Sequence, residues 1–291
     1  MKRGAFLAAG IAGILTVGPA QSASALPSGE AVAAAARLRD GRIGVFASPL
    51  DISAEPIVLH PDEVFPAAST IKVLIAAALM RAADADPAAL GAAVGIRSSD
   101  IVGGSPTFGT ARPGRSYSVT ALLRAMIAQS DNTASNALIT LLGFGRINAV
   151  AADLALDRTR LARHFADDPP VWRISENVTS PRDMGMFLMH LTRGARGEAT
   201  PLASAAGCRR ILRIMLAQED RTGLPLGIPS GVPIANKTGE LERVRNDIGA
   251  VDPFGRAPYV VAALTKDLSE PKNGDAAIRR VSRMIYGAFG S

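Results

Sequence analysis

The sequence predicts an α/β fold of the α+β kind: an antiparallel sheet built from both chain ends and flanked by helices, with an all-α subdomain inserted between its strands. Three observations carry this. Short apolar runs bounded by turn residues lie near the amino end, at about 40–62, and near the carboxyl end, at about 230–265. The stretch between them, at about 69–205, is dominated by helical periodicity. No internal repeat or low-complexity linker divides the 291 residues, and at 48% hydrophobic and 20% charged they can bury a sizeable core.

The elements follow in order. Lys2 and Arg3 precede an apolar run from Ala5 to Val17, then Pro19 and Ala23-Ser24-Ala25. A charged start, an apolar stretch and an A-x-A site read as a signal peptide over residues 1–25, cleaved near Ala25 and leaving 26–291 as one domain. The run is short for a membrane span, and no second long apolar stretch follows. The mature chain is therefore expected to be secreted or periplasmic, without stable membrane insertion. Residues 30–39 are good helix formers. Residues 42–47 and 56–60 are apolar runs separated by Pro49, Asp51 and Ser53, which predicts two paired strands. From Ser69 to Met80 the chain is nearly all apolar, the mark of a helix buried on every side. Further helices are predicted over 119–128, 133–142, 147–154, 182–191 and 209–217. Residues 161–180, with Pro169 and Pro170 and no clear period, predict a long ordered loop. Strands return over 232–238, 248–251 and 259–264, before a helix over 276–287.

Composition excludes several functions. A net charge of +6 could suit a polyanion, but the basic residues are spread along the chain and aromatics are only 4%, so no nucleic-acid partner is expected. The single cysteine, Cys208, allows no intrachain disulfide and reads as a buried structural thiol. His60, His164 and His190 have no metal-type spacing. Neither metal nor cofactor is expected, and the chain is expected to be a monomer. Of the 32 basic residues only five are lysines: Lys2, Lys72, Lys237, Lys266 and Lys272. Lysine can lose its proton when desolvated and arginine effectively cannot, so a retained lysine invites a chemical reading.

Three motifs give that reading: Ser69-Thr70-Ile71-Lys72, Ser130-Asp131-Asn132 and Lys237-Thr238-Gly239. The first pattern alone arises about once by chance in a chain this long, and Ser269-Glu270-Pro271-Lys272 also matches it. Only the copy at 69 opens a buried helix, where serine and lysine three positions on share a face. There the helix amino terminus favours negative charge near the serine, and desolvation would make Lys72 a base. Lys266 and Lys272 read as surface residues.

With all three motifs in order, the chain resembles the penicillin-recognising serine hydrolases, and more closely the class A β-lactamases. The resemblance runs from FPAASTIK at 65–72 through RPG at 112–114 and AQSDNTASNALI at 128–139 to ANKTGE at 235–240 and NDIGAV at 246–251. It implies a β-lactamase/transpeptidase-like fold and an acyl-enzyme at Ser69, with Lys72 as base and Ser130 passing a proton to the departing nitrogen beside Lys72 and Lys237. It further implies that Asn132 binds the substrate's side-chain amide and that Lys237 and Thr238 hold its carboxylate. The N–H groups of Ser69 and Glu240 would form the oxyanion hole. Gly239 fits a strand edge that substrate approaches closely, and Asp131 is expected to tie loops together.

Two departures qualify the resemblance. Class A enzymes carry a loop glutamate in a pattern close to E-x-x-L-N that activates the deacylating water. Aligned from Arg160, Phe165 falls at its position; counted back from Pro181, His164 does. Neither is a carboxylate, so Asp167 or Asp168 is the candidate replacement base, with His164 a weaker one and Glu176 a surface residue. The second departure lies after Lys-Thr-Gly, where many members place an arginine for the substrate carboxylate. Arg243 and Arg245 share one strand face, while Asn246 falls nearest that position. Phe108, Trp172, Met184, Met186 and Met189 read as packing residues, and Gly103-Gly104-Ser105 as a loop beside the site.

The expected function is an exported serine hydrolase, acylated by β-lactams and turning over weakly. The alternatives are a D,D-peptidase acting on peptidoglycan peptides, a covalent binding protein without turnover and, less favoured, a glutaminase.

Overall fold

The computed structural model describes Met1, residues 27–166 and residues 176–290. The expected signal peptide beyond Met1, together with Asp167, Asp168 and Trp172, lies outside the described residues.

The helices are α1 (Gly29–Ala35), α2 (Lys72–Ala85), α3 (Val119–Ala128), α4 (Asn132–Leu142), α5 (Phe144–Asp153), α6 (Pro181–Ala195), α7 (Ala205–Leu216) and α8 (Pro271–Phe289). The strands are β1 (Arg42–Pro49), β2 (Ile57–Leu59), β3 (Phe65–Pro66), β4 (Ala93–Gly95), β5 (Ser116–Ser118), β6 (Val178–Thr179), β7 (Ile234–Leu241), β8 (Val244–Val251) and β9 (Tyr259–Lys266). The main sheet has the order β2-β1-β9-β8-β7, with every neighbouring pair antiparallel. The predicted α+β fold is the observed one. Both chain ends share the sheet because β1 pairs with β9 along its whole length, from Arg42 opposite Lys266 to Pro49 opposite Tyr259. That arrangement leaves β7 at an edge, beside the helical layer.

Alternation along the strands builds two cores. Ile43, Val45 and Ala47 of β1 and Tyr259, Val261 and Ala263 of β9 pack with Val32 of α1 and Ile278, Val281 and Ile285 of α8. The intervening Phe46, Val260, Ala262 and Leu264 face the other way, into a core with α2, α6 and α7. With both faces covered, the strands read as nearly continuous apolar runs. At the centre of the larger core α2 buries Val73, Leu74, Ile75, Leu79 and Met80, each worth about 1.5–3 kcal/mol of transfer free energy.

Local chemistry moves some predicted boundaries. The helix expected over 30–39 ends at Ala35. Pro271 at the first position starts α8 five residues earlier than its apolar period suggests, so the decoy Lys272 sits in an exposed first turn, paired to Glu270 at 3.1 Å. Met184 and Met189 are buried as expected, whereas Met186 is exposed because its position on α6 faces away from the core. Cys208 is buried, which raises its thiol pKa to about 11, in keeping with an inert structural role.

Candidate active site

Ser69 stands on a tight 3₁₀ turn, Ala68–Ile71, that feeds directly into α2, rather than on the α-helix itself. The turn is held from several sides. Ala68 takes a left-handed backbone conformation at φ +48°. Asn246, buried on β8, donates from its amide nitrogen to Pro66 O at 2.8 Å and Ala67 O at 3.3 Å, and accepts from Thr265 N at 2.8 Å. The residue nearest the family's arginine position thus holds the turn that carries Ser69. Strand β7 lies against the same turn. A Cβ on Gly239 would sit 3.1 Å from Ala67 O, Ala68 Cβ and Ser69 N. The absent side chain therefore makes room first for the serine's own turn, and not only for a substrate.

Lys72, at the start of α2, is fully buried and points at the Ser-Asp-Asn motif. Its Nζ donates to Ser130 O at 2.6 Å, Ser130 Oγ at 3.1 Å and Asn132 Oδ1 at 2.8 Å. The direct link to Ser69 Oγ expected from helix spacing is not among these bonds; the lysine joins Ser69's helix to the next motif. Burial, then the neighbouring Lys237 charge, push the Lys72 ammonium well below its usual pKa, against an opposing pull from Asp131. Ser130 is itself strained into the left-handed region at φ +58°. Asp131 accepts from Ala134 N at 2.7 Å, Thr107 N at 2.9 Å and Phe108 N at 2.8 Å, so it caps α4 and ties the neighbouring loop down. Ser105 joins this scaffold by accepting from Thr133 N at 3.1 Å.

Between these elements and β7 lies a cleft of about 380 Å³, lined by Ser69, Ser130, Asn132, Thr238 and Glu240 among others. Lys237 is fully buried behind it and donates to Thr238 O at 2.8 Å. Burial lowers its pKa to about 8, with Asp247, Asp220 and Glu240 pulling the other way. Asp220 lines the cleft without having been picked out by any sequence motif. Burial raises its carboxyl pKa, but hydrogen bonds from Thr222 and Thr238 and the charge of Lys237 outweigh this and hold it below the usual range.

The loop after α5 separates the two residues that the sequence left as alternatives. The Phe165 ring lies over Lys72 Nζ, 4.5 Å from its centroid. Its backbone is clamped by Asn136 of α4, which accepts from Phe165 N at 2.8 Å and donates to Phe165 O at 2.9 Å. His164 instead turns outward, edge-on to Phe144 with ring centroids 5.0 Å apart. Glu176 is not a free surface residue. It pairs with Arg163 at 3.1 Å and accepts from Asn177 N at 2.8 Å, closing the neck of the loop. The sequence assigned no role to Asn136 or Asn177, because a buried loop-tying amide has no motif.

Residues 28–289 match the β-lactamase enzyme family (Beta-lactamase2).

The chain belongs to the β-lactamase enzyme family.

Two curated members resemble it along most of their length. β-Lactamase AST-1 of Nocardia asteroides is 29% identical over 86% of this chain and 79% of its own. β-Lactamase CTX-M-8 of Citrobacter amalonaticus is 30% identical over 79% of this chain and 78% of its own. Among solved structures, PBP-A superposes with a TM-score of 0.77 at 32% identity, covering 88% of this chain and 93% of that one. A mutant of PBP-A has been solved as an acyl-enzyme with penicillin G. A β-lactamase from Sphaerobacter thermophilus gives a TM-score of 0.79 at 29% identity, covering 89% and 96%. Membership of the β-lactamase family makes the chain a serine hydrolase of the β-lactam-hydrolysing class.

Within this β-lactamase frame the arginines after Lys-Thr-Gly are turned onto backbone carbonyls and away from the cleft. Arg243 donates to Asp267 O at 3.2 Å and Leu268 O at 3.3 Å. Arg245 donates to Leu241 O at 2.9 Å and Val244 O at 2.8 Å. Neither lines the cleft. Lys266 is likewise no free surface charge, since it reaches Glu63 at 2.9 Å and Val64 O at 2.8 Å.

Proposed function

We propose that the mature chain is an exported serine hydrolase that forms an acyl-enzyme at Ser69 with β-lactams and releases it slowly. One observation carries the reading: Lys72, desolvated at the head of the helix that follows Ser69, is bonded to Ser130 and Asn132, which share a cleft with Ser69. In this reading Lys72 in its neutral form takes the Ser69 proton as Oγ attacks the lactam carbonyl. Ser130 relays a proton to the departing nitrogen, and the N–H groups of Ser69 and Glu240 stabilise the oxyanion. Asn132 holds the side-chain amide, and Lys237 with Thr238 holds the carboxylate.

Slow release follows from Phe165. An apolar ring, and not a carboxylate, lies over Lys72, which supports this reading because losing a general base costs about 10²–10⁴ in rate. Asp167 and Asp168, outside the described residues, are the replacement carboxylates this reading names. The same ring, with the likeness to PBP-A, supports a second reading as a D,D-peptidase acting on peptidoglycan peptides.

Intact mass after mixing with benzylpenicillin tests the proposal. The expected result is a covalent adduct on Ser69 that outlives the free drug and is absent in Ser69→Ala. An adduct that survives in Ser69→Ala would sink the assignment, and rapid product without an adduct would sink slow release. The acylation rate should also fall as pH rises through about 8, where Lys237 loses the charge that holds the substrate carboxylate. A rate still climbing at pH 10 would remove Lys237 from that role.

A further inference from the structure

A second concavity lies away from Ser69. It is a groove of about 650 Å³ between α2, α3 and α7. Its walls are set by helix periodicity. On α7, Ala206, Arg210 and Arg213 follow one another at spacings of four and three and line the groove. On α3, Thr120 and Arg124 face it at a spacing of four, and on α2 Met80, Ala83 and Asp84 form its base. Small residues at the start of α7 keep it open: Gly207 packs so closely that a Cβ there would meet Met80 Cβ at 3.0 Å.

Its charge is lopsided. The guanidiniums of Arg124, Arg210 and Arg213 are exposed and make no ion pair or hydrogen bond among the described residues. Other exposed arginines, among them Arg112, Arg146 and Arg283, are unpaired too, but they do not line this groove; what sets Arg124, Arg210 and Arg213 apart is that they converge on one concavity. Arg209 also lines the groove, with one arm on Ala195 O at 3.1 Å. The one carboxylate present, Asp84, is engaged by Ser204 N at 2.7 Å and Ser204 Oγ at 2.5 Å. Between the cations lie Met80, Pro87, Leu90 and Ile214. Planar guanidiniums with free donors recognise carboxylate, phosphate or sulfonate oxygens in pairs, while an apolar floor in a concavity of this size takes a hydrocarbon body.

We infer that this groove is a second ligand site, distinct from the Ser69 cleft, for a soluble molecule that carries an anionic group on an apolar body. The anion sits between Arg124 on α3 and Arg210 and Arg213 on α7, and the apolar part lies along Met80, Leu90 and Ile214. Surface basicity alone would attract any anion weakly and without saturation. A built site requires both the charge and the floor.

The test uses the full mature chain with anilinonaphthalene sulfonate as the probe, its uncharged counterpart phenylnaphthylamine, and inorganic sulfate. The expected result is saturable one-to-one binding of the sulfonate, at least about tenfold tighter than the uncharged counterpart and not displaced by equimolar sulfate. Arg124→Glu combined with Arg213→Glu should weaken it at least about tenfold, whereas Arg146→Glu, on α5, should leave it unchanged. Ala206→Trp, which fills the groove without altering charge, should also abolish binding. Adduct formation at Ser69 in each variant reports that the fold is intact. Equal affinity for the uncharged counterpart, or unchanged binding in the doubly reversed variant, would overturn the inference.

Discussion

Replacing Lys72 by arginine is expected to slow acylation of Ser69 by about 10²–10⁴-fold at every accessible pH, the range typical of losing a positioned base. The side chain keeps its charge, so a role that rested on charge alone would survive the change. Lys72, however, is fully buried among Ser130 O, Ser130 Oγ and Asn132 Oδ1, and burial pushes its pKa well below the usual lysine range, which favours the neutral amine. A guanidinium cannot give up its proton in that range and needs more space for its planar fork. The measurement is the second-order rate of adduct formation by intact mass, with a thermal melt to show that the variant folds. Lys72→Gln, uncharged and close in size, should lose a similar factor. A folded Lys72→Arg enzyme acylating within threefold of the parent would remove Lys72 as the base.

The reciprocal change is Phe165→Glu, which should speed release of the penicilloyl group by about 10²-fold while leaving acylation within a few-fold. The Phe165 ring is 4.5 Å from Lys72 Nζ, and its backbone is fixed by two hydrogen bonds to Asn136, so a carboxylate there starts from a held position beside the ammonium. Decay of the adduct after removal of excess drug measures the effect. An unchanged lifetime in a folded variant would show that Phe165 does not occupy the place of the missing base.

The fold was legible in the sequence wherever periodicity reports burial directly. The all-apolar stretch after Ser69 is α2, and the apolar runs at both ends are the strands of one sheet. The helix over 119–128 falls where its period places it. Boundaries moved where capping chemistry overrode that period, as Pro271 does for α8. The three motifs likewise singled out Ser69, Lys72, Ser130, Asn132, Lys237 and Thr238, which the fold gathers in and behind one cleft. Asn136, Asn177, Asn246 and Asp220 were not legible. Their work is to bond backbone atoms or neighbours far along the chain, as Asn246 does across 180 residues to Pro66, and no local spacing encodes such a partner.

Sequence by itself therefore determined the family, the sheet shared between the chain ends and the candidate reactive groups, since side-chain chemistry and hydrophobic period are local properties. Tertiary structure alone decided that Lys72 bonds to Ser130 and Asn132, that Phe165 rather than His164 lies over it, and that Arg243 and Arg245 are turned onto backbone carbonyls. The reason is physical. Desolvation, ring placement and hydrogen-bond direction depend on which distant segments close around a group, and those segments meet only when the core packs.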